Sequence, residues 1–276
     1  MVLSFSWMMM ILLWIGSVHA QQISTSDTFA CRIAEEGKID CWGRLPQGGP
    51  LPTEGNFTQI VTGQEYGCAL QAPEGRTFCF GSNTTGILRK DLPLFSFLSV
   101  GSNRIFACGL RHESRTLYCW GDVPAILDAT VSAHSQEAFR SICIQQSNFC
   151  GIYPNSSMVC VGDNTYGQSQ PTPFDGWMSV SHGGAFVCGL LRNNRIACFG
   201  LNNLGQCRPP VETATQVVAF GSSVACAILS YNGVLQCWGQ TTVAFGGSQW
   251  VPTGTFQLQM TGGLGVYGNN RLTLIS

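Results

Sequence analysis

A chain of 276 residues with 14 Lys and Arg against 15 Asp and Glu has a formal net charge of −1, so it lacks the basic field that nucleic acid or an anionic membrane would attract. Charged residues make up 11%, well under the usual quarter or so. Its 14 cysteines place it in an oxidising compartment, because cytosolic thiols are kept reduced.

The first element is an apolar core, Met8 to Gly16 (MMMILLWIG), followed by Ser17-Val18-His19-Ala20. It reads as a signal peptide over residues 1–20, cleaved after Ala20, although its start lacks Lys and Arg. A transmembrane anchor is the rival reading, but a span needs about 20 apolar residues and no run in this chain is that long. Three Asn-X-Ser/Thr sequons follow, at Asn56, Asn83 and Asn155. Behind a signal peptide they read as glycosylation sites on exposed loops. The expected location is secreted and extracellular, or the cell surface if the gene product continues into a membrane segment.

Twelve cysteines then fall into pairs: Cys31 with Cys41, Cys68 with Cys79, Cys108 with Cys119, Cys150 with Cys160, Cys188 with Cys198, and Cys226 with Cys237. Subtraction gives separations of 10, 11, 11, 10, 10 and 11, and the first members recur at 37, 40, 42, 38 and 38 residues. A fixed period in the range of about 20–50 residues denotes a repeat architecture. Each period opens with an apolar run, such as FTQIVTG from Phe57 or FSFLSVG from Phe95. Next come the first cysteine, a polar loop and the second cysteine. In five of six repeats that second cysteine is followed by an aromatic and glycine, as in Cys119-Trp120-Gly121; the fourth has Cys160-Val161-Gly162. Two short apolar runs around a polar loop predict a β-hairpin. Opposed residues of a non-hydrogen-bonded antiparallel pair lie about 4.5 Å apart at Cα, close enough for a disulfide. Helical periodicity is absent, so the chain reads as all-β.

A seventh, cysteine-free copy is expected at the end: Phe256 to Gly262 (FQLQMTG), Gly265-Val266-Tyr267, an Asn269-Asn270 turn and a returning strand over Leu272 to Ile275. Seven short antiparallel sheets predict a seven-bladed β-propeller over residues 21–276, which removes sheet edges by arranging blades in a ring. The aromatic after each second cysteine would pack between blades, and the glycine after it would permit a close turn. Cys143 and Cys207 fall outside the pattern. They could pair together, stay free, or bond between molecules; two unpaired or variably paired thiols is the preferred reading.

Several repeats continue into a Gly-X-Asn-X-X-Gly turn: Gly81 to Gly86, Gly162 to Gln168 (GDNTYGQ) and Gly200 to Gln206 (GLNNLGQ). This resembles the repeat of the regulator-of-chromosome-condensation superfamily, a seven-bladed propeller. With the paired cysteines and the Cys-Trp-Gly endings it is similar to the ectodomain of plant crinkly-type receptor-like serine/threonine kinases, from roughly Ile23 onward. In that family a cysteine-rich segment, a transmembrane helix and a kinase follow. No glycine-rich phosphate loop with its lysine, HRD loop or DFG triplet occurs in this chain, so kinase activity does not carry over. The resemblance implies a secreted homologue or an incomplete receptor product.

Catalytic and metal-binding patterns are scarce. His112, His134 and His182 share no ligand spacing, and the cysteines form no CxxC cluster for zinc. Glu35, Glu36 and Glu113 fall in loops, where solvated carboxylates belong, and no cofactor is implied. The favoured reading is an extracellular recognition module, not an enzyme. It would bind a peptide or protein ligand, or pair with a like ectodomain, because rigid scaffolds carry recognition on their loops. The candidate loops are His112 to Arg115, Asn193 to Arg195 and Asp122 to Ala138. The alternatives are a secreted propeller enzyme acting on glycans, needing two converging carboxylates, and a receptor remnant without a ligand.

Overall fold

The computed structural model describes residues 23–240, apart from positions 27, 53, 102–104, 146–147, 174–175 and 222. The expected signal peptide and seventh repeat lie outside the described residues.

Six three-stranded antiparallel sheets follow one another along the chain. The first holds β1 (Ile23–Thr25), β2 (Phe29–Ile33) and β3 (Ile39–Gly43); the second holds β4 (Phe57–Thr62), β5 (Tyr66–Gln71) and β6 (Arg76–Gly81). The third holds β7 (Phe95–Val100), β8 (Phe106–Arg111) and β9 (Leu117–Gly121), and the fourth β10 (Ser141–Gln145), β11 (Asn148–Ile152) and β12 (Met158–Val161). The fifth holds β13 (Trp177–His182), β14 (Phe186–Leu191) and β15 (Ile196–Gly200), and the sixth β16 (Ala214–Phe220), β17 (Val224–Leu229) and β18 (Leu235–Gly239). The first strand of each sheet runs beside the first strand of the next, so successive sheets stack as blades around a common side.

Within each blade the middle and last strands place the paired cysteines directly opposite one another, as Cys108 opposes Cys119. All six pairs are bonded, with Cα atoms 4.0–4.1 Å apart. A loop of about 11 residues closed this way is worth roughly 3 kcal/mol in the chain-entropy model, less where a hairpin already holds the ends together. Cys108→Ala is therefore expected to lower unfolding stability by up to about 3 kcal/mol and to retain the protein inside secreting cells. Normal secretion with an unchanged melt would show that the hairpin stands without its bond.

The core lies between blades. Phe80 packs on Phe29, Cys31 and Ile60 of the first two blades; Trp120 packs on Tyr66, Cys68 and Ile87; Trp238 packs on Phe186 and Cys188. In the second, third, fifth and sixth blades the aromatic after the second cysteine, Phe80, Trp120, Phe199 or Trp238, thus fills the space against the preceding blade. The glycine after it has φ of +88° to +128° in all six blades. At Gly121 a Cβ would stand 2.5 Å from the Ile105 carbonyl oxygen, so only glycine fits.

Besides a 3-10 turn at Glu35–Gly37, one α-helix among the described residues departs from the all-β expectation. The segment after the third blade contains a helix, α1 (Ala125–Ala133). Pro124 precedes it with φ −58°, pre-set for a helix start. Leu127 and Val131, one turn apart, lie against Phe139 and Phe149. One helical turn of apolar contact is too little periodicity to read against hairpins on both sides.

Candidate recognition face

The loop between the second and third strands of a blade lies beside the start of the next blade's first strand. Four times, the residue at the loop's tight point has positive φ: Gly75 (+77°), Arg115 (+59°), Ser156 (+72°) and Asn194 (+61°). Each carbonyl then accepts an N–H at or just before the first strand of the following blade, from Phe95 (2.8 Å), Phe139 (3.0 Å), Trp177 (2.9 Å) and Ala214 (2.8 Å). The left-handed residue turns its carbonyl outward to the neighbour, and that neighbour's edge N–H is satisfied. The loops are therefore staples on their inner side and exposed on their outer side.

Two of the three candidate loops divide in this way. His112, Glu113 and Ser114 are exposed, but Arg115 turns back. Its guanidinium donates to Ser96 Oγ (2.6 Å), Phe139 O (3.2 Å) and Arg140 O (2.5 Å), tying the third blade to the fourth. In the other hairpin Asn193, Asn194 and Arg195 are all exposed. The third candidate, Asp122 to Ala138, holds α1 and supplies two side chains to a cluster. His134 Nδ1 lies 2.7 Å from Glu137 Oε2, and the Tyr153 hydroxyl donates to the same carboxylate. These two hydrogen bonds hold Glu137 below the usual carboxylate range. Among the described residues no three His, Cys, Asp or Glu gather as metal ligands.

On the same face Arg140 donates to Trp177 O (2.6 Å) and Met178 O (2.9 Å), and Arg192 donates to Ser156 Oγ (3.0 Å). The guanidinium roles of Arg115 and Arg140 have no local sequence signal, since their partners lie up to 38 residues away.

The opposite face carries the asparagine turns. Asn83, Asn164 and Asn202 each accept, through Oδ1, the N–H five residues on, from Leu88, Ser169 and Cys207. Trp120 Nε1 then donates to Ile87 O (3.1 Å) and Trp238 Nε1 to Gln206 O (2.8 Å), so the turn of one blade is locked by the tryptophan of the next. Trp120→Phe should cost about 1–3 kcal/mol, because it leaves a buried carbonyl unpaired while keeping the ring's packing. A denaturant melt checks this; an unchanged midpoint would mean that water replaces the indole N–H. Tyr166 (52% exposed) and Leu204 (44%) occupy the same position in two of these turns and point outward.

The sequon residues Asn56, Asn83 and Asn155 are all exposed. Cys143 and Cys207 are unpaired. Cys143 lies opposite Cys150 in β10, where the first and fifth blades have Ser24 and Ser181. Those serines accept the N–H of Thr62 and Ala219 in the next blade, and Cys143 meets the His182 backbone in the same way. Burial pushes its thiol up to about 12 and that of Cys207 to about 11, so neither is a thiolate at neutral pH.

These features define an all-β repeat protein of disulfide-pinned, propeller-type blades. No family model matches the chain. It is similar to the entire ectodomain of the receptor kinase CR4 from Physcomitrella patens, at 23% identity and TM-score 0.64, over 80% of this chain and 64% of that one. It is also similar to the CRINKLY WD40 ectodomain of the Arabidopsis thaliana receptor kinase ACR4, at 22% identity and TM-score 0.62, over 83% of this chain and 81% of that one. Prp20p of Saccharomyces cerevisiae, described with its binding to Gsp1p and histones, matches at 12% identity and TM-score 0.61, over 79% of this chain and 71% of that one. The chain thus spans under two thirds of the moss ectodomain, and what it shares with all three is the fold. Among the described residues no helix is long and apolar enough to cross a membrane.

Proposed function

We propose that this chain is a secreted, non-enzymatic recognition propeller that binds an extracellular peptide or protein, or pairs with a like ectodomain. Its carrying observation is the division of the hairpin loops, whose carbonyls staple the blades while residues 112–114 and 193–195 are exposed to solvent. A scaffold so fixed can vary those side chains without losing its fold. Likeness to two receptor-kinase ectodomains supports the extracellular setting, as do six disulfides.

In this reading residues 1–20 are a cleaved signal peptide and the later part of 241–276 supplies a seventh blade that closes the ring. Two observations support closure. Trp42 is 42% exposed, whereas its counterparts Phe80 and Trp120, each covered by the blade before, are 2% exposed. Gln216 follows the same strand irregularity in β16 as Gln59 does in β4, and its buried Oε1 has no partner among the described residues. Asn56, Asn83 and Asn155 carry N-glycans; enzymatic deglycosylation of the secreted protein should remove three glycan masses, and an unglycosylated secreted product would count against this.

The function is tested with the labelled secreted chain on intact cell surfaces, in competition with unlabelled chain. Saturable binding should be lost when 112–114 and 193–195 are replaced by Gly-Ser sequences. Binding that ignores those replacements, or no saturable binding, would sink the reading; self-association in a sedimentation run would identify pairing with a like ectodomain.

A further inference from the structure

We infer an oxyanion-binding site where the fourth and fifth blades meet on the hairpin-loop face, built by Arg192 and Arg140 around Ser156. Arg192 Nη2 donates to Ser156 Oγ at 3.0 Å and Arg140 Nη1 to the same oxygen at 3.4 Å. Two guanidiniums thereby converge on one buried hydroxyl, which holds them within a few ångströms of each other. Arg32 and Arg89, by contrast, each lie beside a carboxylate, Asp40 and Asp91. Here neither arginine meets a carboxylate among the described residues. Arg140 spends Nη2 on the Trp177 and Met178 carbonyls, so its role is partly that of an interblade clamp. Arg192 has no such duty: it is exposed, and among the described residues Ser156 Oγ is its single side-chain hydrogen-bond partner. Among the described residues its remaining guanidinium N–H groups have no partner and form a fork beside a second guanidinium that meets no carboxylate.

Like charges so placed repel, and an oxyanion relieves that repulsion while accepting charge-assisted hydrogen bonds from the fork. The ligand class is a sulfate, phosphate or carboxylate group. The site rests on side-chain geometry alone and stands whether or not the chain is a recognition module.

The test uses the secreted chain after enzymatic deglycosylation, since Asn155 adjoins Ser156. Sodium sulfate and, separately, sodium acetate are titrated against chloride at constant ionic strength, following the Arg192 Nε–H resonance and the melting temperature. The resonance should shift saturably and the melting temperature should rise. Response to sulfate alone would assign a tetrahedral oxyanion; response to both would admit carboxylates. Arg192→Ala should weaken the melting response by about tenfold in apparent affinity, and Arg192→Lys should recover only part of it, because lysine restores charge without the fork. A linear, unsaturable shift, or equal responses from wild type and Arg192→Ala, would overturn the site.

Discussion

Replacing Gln59 by leucine should lower the unfolding free energy by about 2–6 kcal/mol. The first strand of each blade is an edge, and an edge presents unpaired N–H and C=O groups. Gln59 is buried in β4, and its amide serves both groups of one residue in the next blade. Nε2 donates to Leu98 O at 2.9 Å, and Oε1 accepts from Leu98 N at 2.8 Å. A leucine of similar size keeps the apolar packing but strands a buried donor and acceptor, at about 1–3 kcal/mol each. Equilibrium denaturation with the disulfides intact measures the loss. A change below about 1 kcal/mol would show that water reaches Leu98 from the side where first strands meet.

Acidification should weaken the fold through His182 by about 3 kcal/mol in total. His182 ends β13, is fully buried, and accepts the Gly184 N–H at Nδ1 (3.1 Å), while Nε2 has no partner among the described residues. Burial lowers its pKa from 6.5 to about 4. Between those values the unfolded chain binds a proton that the folded chain refuses. Stability is therefore full above about pH 6.5, falls as the pH drops towards about 4, and levels below that. His182→Gln should flatten this part of the stability curve while costing little at neutral pH. If the variant keeps the wild-type slope between pH 6.5 and 4, other groups carry the acid response.

The cystine hairpins were legible because everything that forms them is local. Cys108 and Cys119 are eleven residues apart, their strands are joined by one turn, and a one-residue slip would put the sulfurs on opposite faces. The same holds for the glycine after each aromatic, where positive φ follows from a tight return within one blade. Helix α1 was not legible, since a single turn of apolar contact gives no periodicity to detect.

The functional surface divides along a different line. Sequence placed the hairpin loops outside and named them candidates for recognition. It gave no sign that Arg115 turns inward while His112 to Ser114 stay exposed, because the carbonyls that Arg115 reaches belong to the next blade. Gln59 and Leu98, Arg140 and Trp177, and Arg192 and Ser156 are likewise 36 to 39 residues apart. By itself the sequence determined the repeat, its disulfides and its all-β hairpins, through contacts that one blade makes with itself. Only the tertiary structure decided which polar side chains are staples and which are free, because that depends on stacking each blade against the edge of its neighbour.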